Sequence, residues 1–294
     1  MTYRSLRSRS AALALLPAWI AAGGAFVGSV VWMAQISFTS SRLLPVNDFI
    51  GFDNYINLLG SRLWQTAFNN MLIFGGLYIS ACMVLGCLMA IALDQKLKAE
   101  AFWRTVFLYP YAVSFIVTGL VWQWIMNPEM GVQNAIRDMG WASFTFDLSV
   151  RRSTAIYAIA IAAVWHGAGL VMALMLSAIR GIDENIWKAT AIDGIPKWRT
   201  YLQIVLPMCG PALWTSLVLL MLGVVKLYDI VVALTNGGPG IASEVPAKFI
   251  MDHLFTRQEI GTAAAAAMML LLTMFIVVAP FRFLAARSSR RLSQ

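Results

Sequence analysis

The stretch Lys188–Pro207, KATAIDGIPKWRTYLQIVLP, is a polar segment between two long apolar runs, and it decides the fold. Upstream of it, Asp183 is a good helix N-cap. Asp193-Gly194 predicts the end of that helix, because glycine tolerates the left-handed conformation that follows a helix. Pro196 suits the first turn of a second short helix, and the last proline begins a membrane span. The pattern fits a helix–break–helix loop fixed at both ends to membrane helices, and it fits equally well an ordinary loop that contains glycine and proline.

The composition is that of an integral membrane protein. Of the 294 residues, 60% are hydrophobic and only 12% are charged, whereas soluble globular domains carry about 25% charged residues. Apolar runs of about 20 residues, long enough to cross a bilayer as helices, recur along the chain. The net charge of +8 does not indicate a nucleic-acid partner, because the basic residues are spread over the loops and form no single stripe.

We predict an all-α membrane protein with six transmembrane helices, since the apolar runs are too long and too continuous for barrel strands. The chain then divides into an N-terminal span with an outer loop (1–66), a core domain (67–284) and a basic cytoplasmic tail (285–294). The expected spans are Ala11–Phe38, Phe68–Leu93, Trp103–Ile125, Thr154–Ala178, Cys209–Leu234 and Gly261–Leu284.

The lysines and arginines indicate the orientation in the membrane. If the N-terminus is inside, the inner segments hold roughly twice as many basic residues as the outer loops, which is the bias of cytoplasmic loops. We therefore expect both termini in the cytoplasm and a multi-pass topology.

The sequence carries no motif for catalysis or metal binding. It contains no phosphate-binding GxxxxGK[ST], no HExxH and no CxxC. The three cysteines, Cys82, Cys87 and Cys209, lie in or beside apolar runs and are interpreted as small apolar residues. We expect no catalytic residue, no metal and no cofactor in this chain.

The polar loop resembles the signature loop of bacterial ABC-importer permeases, Glu-Ala-Ala-x-x-x-Gly followed later by Ile-x-Leu-Pro. The matching residues are Lys188-Ala189-Thr190, Asp193-Gly194 and Ile204-Val205-Leu206-Pro207. The stretch Leu234-Thr235-Asn236-Gly237-Gly238-Pro239, preceded by Lys226-Leu227-Tyr228-Asp229, is similar to the end of span five in carbohydrate-importer permeases of the maltose and glycerol-phosphate type. The resemblance covers about Asn69 to Arg282.

This resemblance implies the ABC-importer permease fold, in the bacterial inner (cytoplasmic) membrane, and a transport subunit of a sugar importer that is not an enzyme. It implies four kinds of partner: a second permease subunit, an ATPase dimer, an extracytoplasmic sugar-binding protein and membrane lipid. ATP and Mg would be bound by the ATPase. The polar loop would then be the coupling helix between spans four and five, and its expected ATPase-coupling residues are Ile186, Lys188, Ala189, Asp193, Gly194 and Pro207.

Lys188 departs from the family pattern, which has an acidic residue at this position. An acid would favour a basic partner surface, so the lysine puts that contact in doubt. We expect the seat of the loop on the ATPase to be mainly apolar and to be filled by Ile186 and Ala189.

Polar and ionisable groups inside the spans are candidates for the substrate pathway, because they are costly in lipid. Lys226 and Asp229 lie three residues apart and should share a helix face, where they line the pathway or form a structural pair. His166 could bind a sugar hydroxyl or a neighbouring helix, and Trp122 could stack on a sugar or belong to an interfacial belt. The full expected set is Asn69, Trp122, His166, Lys226, Tyr228, Asp229 and Asn236.

Two other functional classes were weighed. A self-sufficient secondary transporter or channel for a small polar solute predicts internal repeats, helices broken in mid-membrane and several buried carboxylates. The sequence shows no repeat, and Asp229 is the one acid expected inside a span. An intramembrane enzyme would need paired acids or HExxH within the spans. The sequence does not name the sugar, but the absence of an arginine cluster favours neutral glucose-like ligands over phosphates or sulfonates.

Overall fold

The computed structural model describes the backbone of residues 3–95 and 98–291 and the side chains of residues 15–95 and 98–276. Within these residues the protein is helical and has no β-strand beyond two isolated bridges. Two π-helical turns occur, at Thr200–Val205 and Asp252–Thr256. The α-helices are α1 (Tyr3–Ser37), α2 (Asp53–Gly60), α3 (Arg62–Asp94), α4 (Glu100–Ala112), α5 (Phe115–Ile125), α6 (Val132–Asp138), α7 (Ala155–Arg180), α8 (Glu184–Ile192), α9 (Lys197–Arg199), α10 (Leu206–Met208), α11 (Gly210–Val225), α12 (Asp229–Leu234), α13 (Pro246–Met251) and α14 (Ile260–Arg291).

The chain divides into two compact units, Met1–Ser61 with Ile250–Leu272, and Arg62–Phe249 with Thr273–Gln294. In the first unit, α2 is fixed to the segment that follows α1. The side-chain amide of Asn54 donates hydrogen bonds to the carbonyls of Ser37 and Thr39, each at 2.9 Å. The first bond satisfies a carbonyl that the end of α1 leaves without a helical partner, and the second satisfies one in the segment that follows.

The second unit is built around α7, which packs along α3 and α4. Small residues allow this close approach, as expected of helices in lipid. Gly86 on α3 lies so close to α7 that a β-carbon there would be 2.5 Å from the Cβ of Val171. In the same unit, α12 packs on α5 and α11 packs on α3.

Three described helical segments are long and apolar enough to cross a membrane: Leu15–Ser37, Arg62–Asp94 and Ala155–Arg180. The count rises to five if α4 with α5, and Lys197–Met208 with α11, are each taken as one bent span. The described apolar part of α14 is shorter. The structure therefore supports a helical membrane protein, and the sixth span stays a prediction. The side chains of the expected basic tail 285–294 lie outside the described residues.

The prediction of one continuous helix for span three, Trp103–Ile125, is wrong. α4 and α5 meet at an angle of 100°, with the break at Val113 and Ser114. Pro110 near the end of α4 has no N–H to continue the helical hydrogen bonds. Ser114 then caps α5, with its Oγ accepting the N–H of Val117 at 3.3 Å.

The prediction of one continuous span five, Cys209–Leu234, is also wrong. α11 ends at Val225 and α12 begins at Asp229, so Lys226 and Asp229 do not share a helix face. The described side chains include no ion pair between these two residues. The lysine lies at the C-terminal end of one helix and the aspartate at the N-terminal end of the next, which is where each charge complements the helix dipole.

Candidate functional site

The loop between α7 and α11 folds as a helix, a break and a second helix, in agreement with the sequence. α8 begins after Asp183, whose carboxylate accepts the N–H of Asn185 at 2.9 Å. The helix ends before Gly194, which has a φ of +67°, a conformation that favours glycine. Pro196 immediately precedes α9. The local geometry is therefore specified by a cap, a glycine and a proline.

Several side chains of this loop are exposed, and some of them are apolar. Ile192 is 84% exposed and Trp198 is 60% exposed. Ala189 is exposed one helical turn before Ile192. Lys188 forms an ion pair with Glu184 at 3.4 Å, and both side chains are exposed. The loop thus exposes apolar side chains and a pair of opposite charges.

The structure separates the six loop residues expected from the sequence into two groups. Ile186 is half-buried, and the exposed ones are Lys188, Ala189, Asp193, Gly194 and Pro207. Sequence reasoning missed Ile192 and Trp198. The sequence feature that could have identified them is a large apolar residue beside polar neighbours in an expected cytoplasmic segment. Trp198, for example, lies between a lysine and an arginine.

The opposite side of the loop is held against α3. The hydroxyl of Tyr201 donates a hydrogen bond to the Asp94 carboxylate at 2.7 Å. The Tyr201 ring meets Trp187 of α8 edge to face, with the centroids 5.3 Å apart. Burial first, and the neighbouring Asp94 second, raise the pKa of Tyr201. The phenol therefore keeps its proton and remains a hydrogen-bond donor.

A small recess of about 80 Å³ lies in the second unit where α11 gives way to α12. Lys226, Tyr228 and Asp229 line it on one side, and Phe74 and Tyr78 line it on another. The rings of Phe74 and Tyr78 stack with centroids 5.2 Å apart. Aromatic faces beside a few convergent polar groups are the usual lining of a small-molecule site.

His166 is hydrogen-bonded to the backbone at the break between α4 and α5. Only 3% of the residue is exposed. Since a carbonyl can only accept, its Nε2–H donates to the Val113 carbonyl, at 2.9 Å. The imidazole also stacks on Phe115 with the centroids 4.2 Å apart. His166 thus reaches the recess only through Phe115, which is one of its lining residues.

The other expected pathway residues lie outside the lining of this recess. Trp122 is half-buried and packs edge to face on Trp165 at 6.1 Å. Asn69 is exposed within α3, which begins at Arg62, so it is not at the helix start. Asn236 is exposed and has a φ of +49°. The recess thus unites Lys226, Tyr228 and Asp229 of the expected set and none of the remaining four.

Two further residues organise this part of the molecule: Tyr78, which sequence reasoning missed, and Asn70, for which the sequence suggested a helix cap. The signal for Tyr78 was its position four residues after Phe74 in an apolar run, which places both rings on one helix face. Asn70 is buried, and its amide donates to the carbonyls of Ala242 and Glu244 at 3.0 and 2.9 Å. In the sequence, Asn70 is recognisable as a polar residue inside the second expected span. Among the described residues, no group of three or more acids, histidines or cysteines could hold a metal ion.

Comparison with known proteins identifies the class as an ABC-importer transport subunit. Residues 82–293 match the family described as "Binding-protein-dependent transport system inner membrane component". The chain is 32% identical over 281 residues to a probable ABC transporter permease protein of Pyrococcus horikoshii, covering 95% of this chain and 96% of that protein. It is 30% identical over 201 residues to the trehalose/maltose transport system permease protein MalF of Thermococcus litoralis, covering 68% of each. The chain belongs to this family of permeases and is a transport component rather than an enzyme.

A solved structure shows the same fold. The likeness is to a chain of a bacterial alginate ABC transporter in complex with an alginate-pentasaccharide-bound periplasmic protein, with a TM-score of 0.81. The match covers 97% of this chain and 97% of that chain at 18% sequence identity. The protein therefore has the ABC-importer permease fold.

Proposed function

We propose that this chain is one permease subunit of an ATP-driven, binding-protein-dependent sugar importer of the bacterial inner membrane. The observation that carries the proposal is the loop of α8 and α9, which exposes large apolar side chains in a chain of this family. The name of the Thermococcus relative supports a sugar as cargo. The distribution of lysine and arginine supports a cytoplasmic position for both termini.

The proposed partners follow from this role. A second, different permease supplies the other half of the translocation pathway, and an extracytoplasmic binding protein delivers the sugar. An ATPase dimer binds ATP and Mg, and its closure moves the 182–207 loop. Because α8 is fixed to α7 on one side and continues towards α11 on the other, such a movement tilts both helices and alternates access to the pathway.

The ATPase seat for the loop is mainly apolar in this proposal. The exposure of Ala189, Ile192 and Trp198 supports it, and Lys188 is already balanced by Glu184. Lys188→Glu should therefore retain transport and the ATPase, whereas Trp198→Ala should lose about 2 kcal/mol or more of binding free energy, as central tryptophans do. Loss of transport by Lys188→Glu in an intact complex would contradict the apolar seat.

The sugar pathway runs past the recess at the break in span five. Discontinuous helices in transporters place charged helix ends at the substrate, and Lys226 and Asp229 occupy such ends beside Tyr228. Phe74 and Tyr78 offer an aromatic face to a sugar ring. We place Asn69 and Asn236 at the outer entrance, with Trp122 and His166 behind the lining, where they hold α5 in position.

The first experiment is gentle detergent purification of the tagged protein from its native membrane, followed by mass spectrometry. An ATPase and a second permease should accompany it, and the associated binding protein can then be screened with maltose, trehalose and glucose. The alternative function is a self-sufficient secondary transporter or channel for a small polar solute. A chain that purifies alone and moves solute into liposomes without ATP would establish that alternative and refute the proposal.

A further inference from the structure

Four segments of the second unit meet in one polar cluster at the base of the loop. Arg180, the last residue of α7, forms an ion pair with Glu100, the first residue of α4, at 2.8 Å. Its guanidinium also lies 3.8 Å from the carboxylate of Asp94, the last residue of α3. Asp94 in turn accepts the hydrogen bond from Tyr201 in the π-helical turn before α10. One arginine and one aspartate thus link the ends of three apolar helices to the loop.

The bond between Asp94 and Tyr201 is the best-defined contact in this cluster. Tyr201 is only 7% exposed, and the Asp94 side chain is 16% exposed. A hydrogen bond to a carboxylate is shorter and stronger than one between neutral groups, and shielding from water strengthens it further. The Arg180 pairs are more exposed, at 38% for the arginine side chain, and contribute less by themselves.

The backbone at Tyr201 needs such an anchor. Residues Thr200–Val205 form a π-helical turn, a rare geometry that occurs frequently at functional sites. The segment Lys197–Met208 then meets α11 at an angle of 73°. The helical hydrogen bonds therefore do not run straight from the loop into the following span, and the contact between Tyr201 and Asp94 gives a displacement of the loop a second route to the rest of the unit, beside the backbone connections.

We propose that Tyr201, Asp94 and Arg180 are positioning residues that join the coupling loop to α3, α4 and α7, so that these helices follow the loop when the ATPase moves it. The inference rests on the proposed role of the loop as the ATPase contact. It assigns the transmission of movement to side chains on the inner side of the loop, away from the exposed face that would meet the ATPase.

The test uses the full complex in lipid nanodiscs, with nucleotide as the only added ligand. One readout is the MgATP hydrolysis rate. The other is the rate of maleimide labelling of a single cysteine at the recess. Cys82, Cys87 and Cys209 are first replaced by alanine, and Tyr228→Cys is then introduced. The labelling rate is measured with and without MgATP plus vanadate. In the parent complex, nucleotide should change the labelling rate, because the recess moves with the loop.

Tyr201→Phe removes only the hydroxyl that Asp94 binds. It should keep the ATPase bound and hydrolysing ATP, while the nucleotide-dependent change in labelling falls by about 10-fold, as expected for the loss of a bond to a charged group. The matched control is Tyr157→Phe, on an exposed tyrosine of α7, which should behave like the parent. An unaltered labelling response in Tyr201→Phe would overturn the inference.

Two substitutions of Asp94 keep the test decisive if Tyr201→Phe fails to assemble. Asp94→Asn retains an oxygen that can accept the Tyr201 hydroxyl and should keep most of the labelling response, whereas Asp94→Ala should lose it. Equal responses from two assembled variants would refute the positioning role. Failure of the proposed function itself looks different, because the parent complex would then contain no ATPase and show no nucleotide effect.

Discussion

Gly86 gives the sharpest test of the helix packing on which the second unit depends. A β-carbon at this position would lie 2.5 Å from the Cβ and 2.6 Å from the Cγ1 of Val171, and 3.0 Å from the backbone nitrogen of Met172. Only the Cγ1 can move away by rotation of a side chain, because the Cβ and the nitrogen are tied to the backbone of α7. Gly86→Ala must therefore push α3 and α7 apart.

The magnitude follows from two opposing terms. Overpacking a close contact costs about 1–3 kcal/mol, and replacing glycine by alanine inside a helix returns about 1 kcal/mol. Gly76→Ala is the matched control on the same helix, because a β-carbon there meets nothing within 4 Å and only the favourable term applies. The two variants should differ by about 1–3 kcal/mol in stability, which corresponds to a difference in melting temperature of about 2–4 °C per kcal/mol in a chain of this size.

The assay is the thermal midpoint of the fluorescent fusion protein in detergent, read by size-exclusion chromatography after heating. Gly86→Ala should melt below the parent or close to it, and Gly76→Ala should melt at or above the parent. If Gly86→Ala melts as high as Gly76→Ala, α3 and α7 do not approach as closely as the structure shows, and the reasoning about small residues at this contact is refuted.

Three further predictions concern the buried charges, the loop and the break in span three. Lys248→Met should destabilise the protein more than Arg151→Met, because it removes the cation 3.4 Å from a buried carboxylate, that of Glu244, whereas the more exposed Arg151–Asp147 pair should cost less than about 1 kcal/mol in the same melting assay. Gly194→Ala should weaken retention of the ATPase in the purified complex by about 5- to 30-fold, because a β-carbon disfavours a φ of +67°, and Gly194→Asn should weaken it less. His166→Gln, which keeps a donor for the carbonyl at the break before α5, should retain more ATP-driven transport than His166→Leu, and equal rates would contradict the structural role of that bond.

The membrane class and the long straight helices could be predicted from the sequence, because an apolar run of sufficient length has one stable solution in lipid. The ends of α8 could also be predicted, since Asp183 and Gly194 act through local backbone chemistry. The breaks in spans three and five were not predicted, because Pro110 and the pair Lys226 and Asp229 were each interpreted as part of one unbroken apolar run. What interrupts the helix there is a bend stabilised by distant partners, such as His166.

The candidate site, too, could be predicted only in part: its polar residues could be selected from the sequence, but their arrangement could not. Lys226, Tyr228 and Asp229 could be selected as polar residues in an apolar run, and they do lie together in one recess. Their geometry was missed, because a spacing of three residues implies a shared face only in an unbroken helix. Tyr78 was missed because an aromatic residue in a span looks the same whether it faces lipid or a recess.

The break in span five also bears on how the functional classes are told apart. Broken helices are expected of secondary transporters, yet this chain has such a break between α11 and α12 and belongs to the binding-protein-dependent permease family. A broken helix is therefore a property of alternating-access pathways in general, since exposed helix ends supply polar groups where a solute passes. The loop distinguishes secondary transporters from ABC-importer permeases, because a transporter driven by an ion gradient needs no exposed surface for docking an ATPase. In this chain the exposed side chains of Ile192 and Trp198, rather than the pathway residues, carry the argument for an ATP-driven partner.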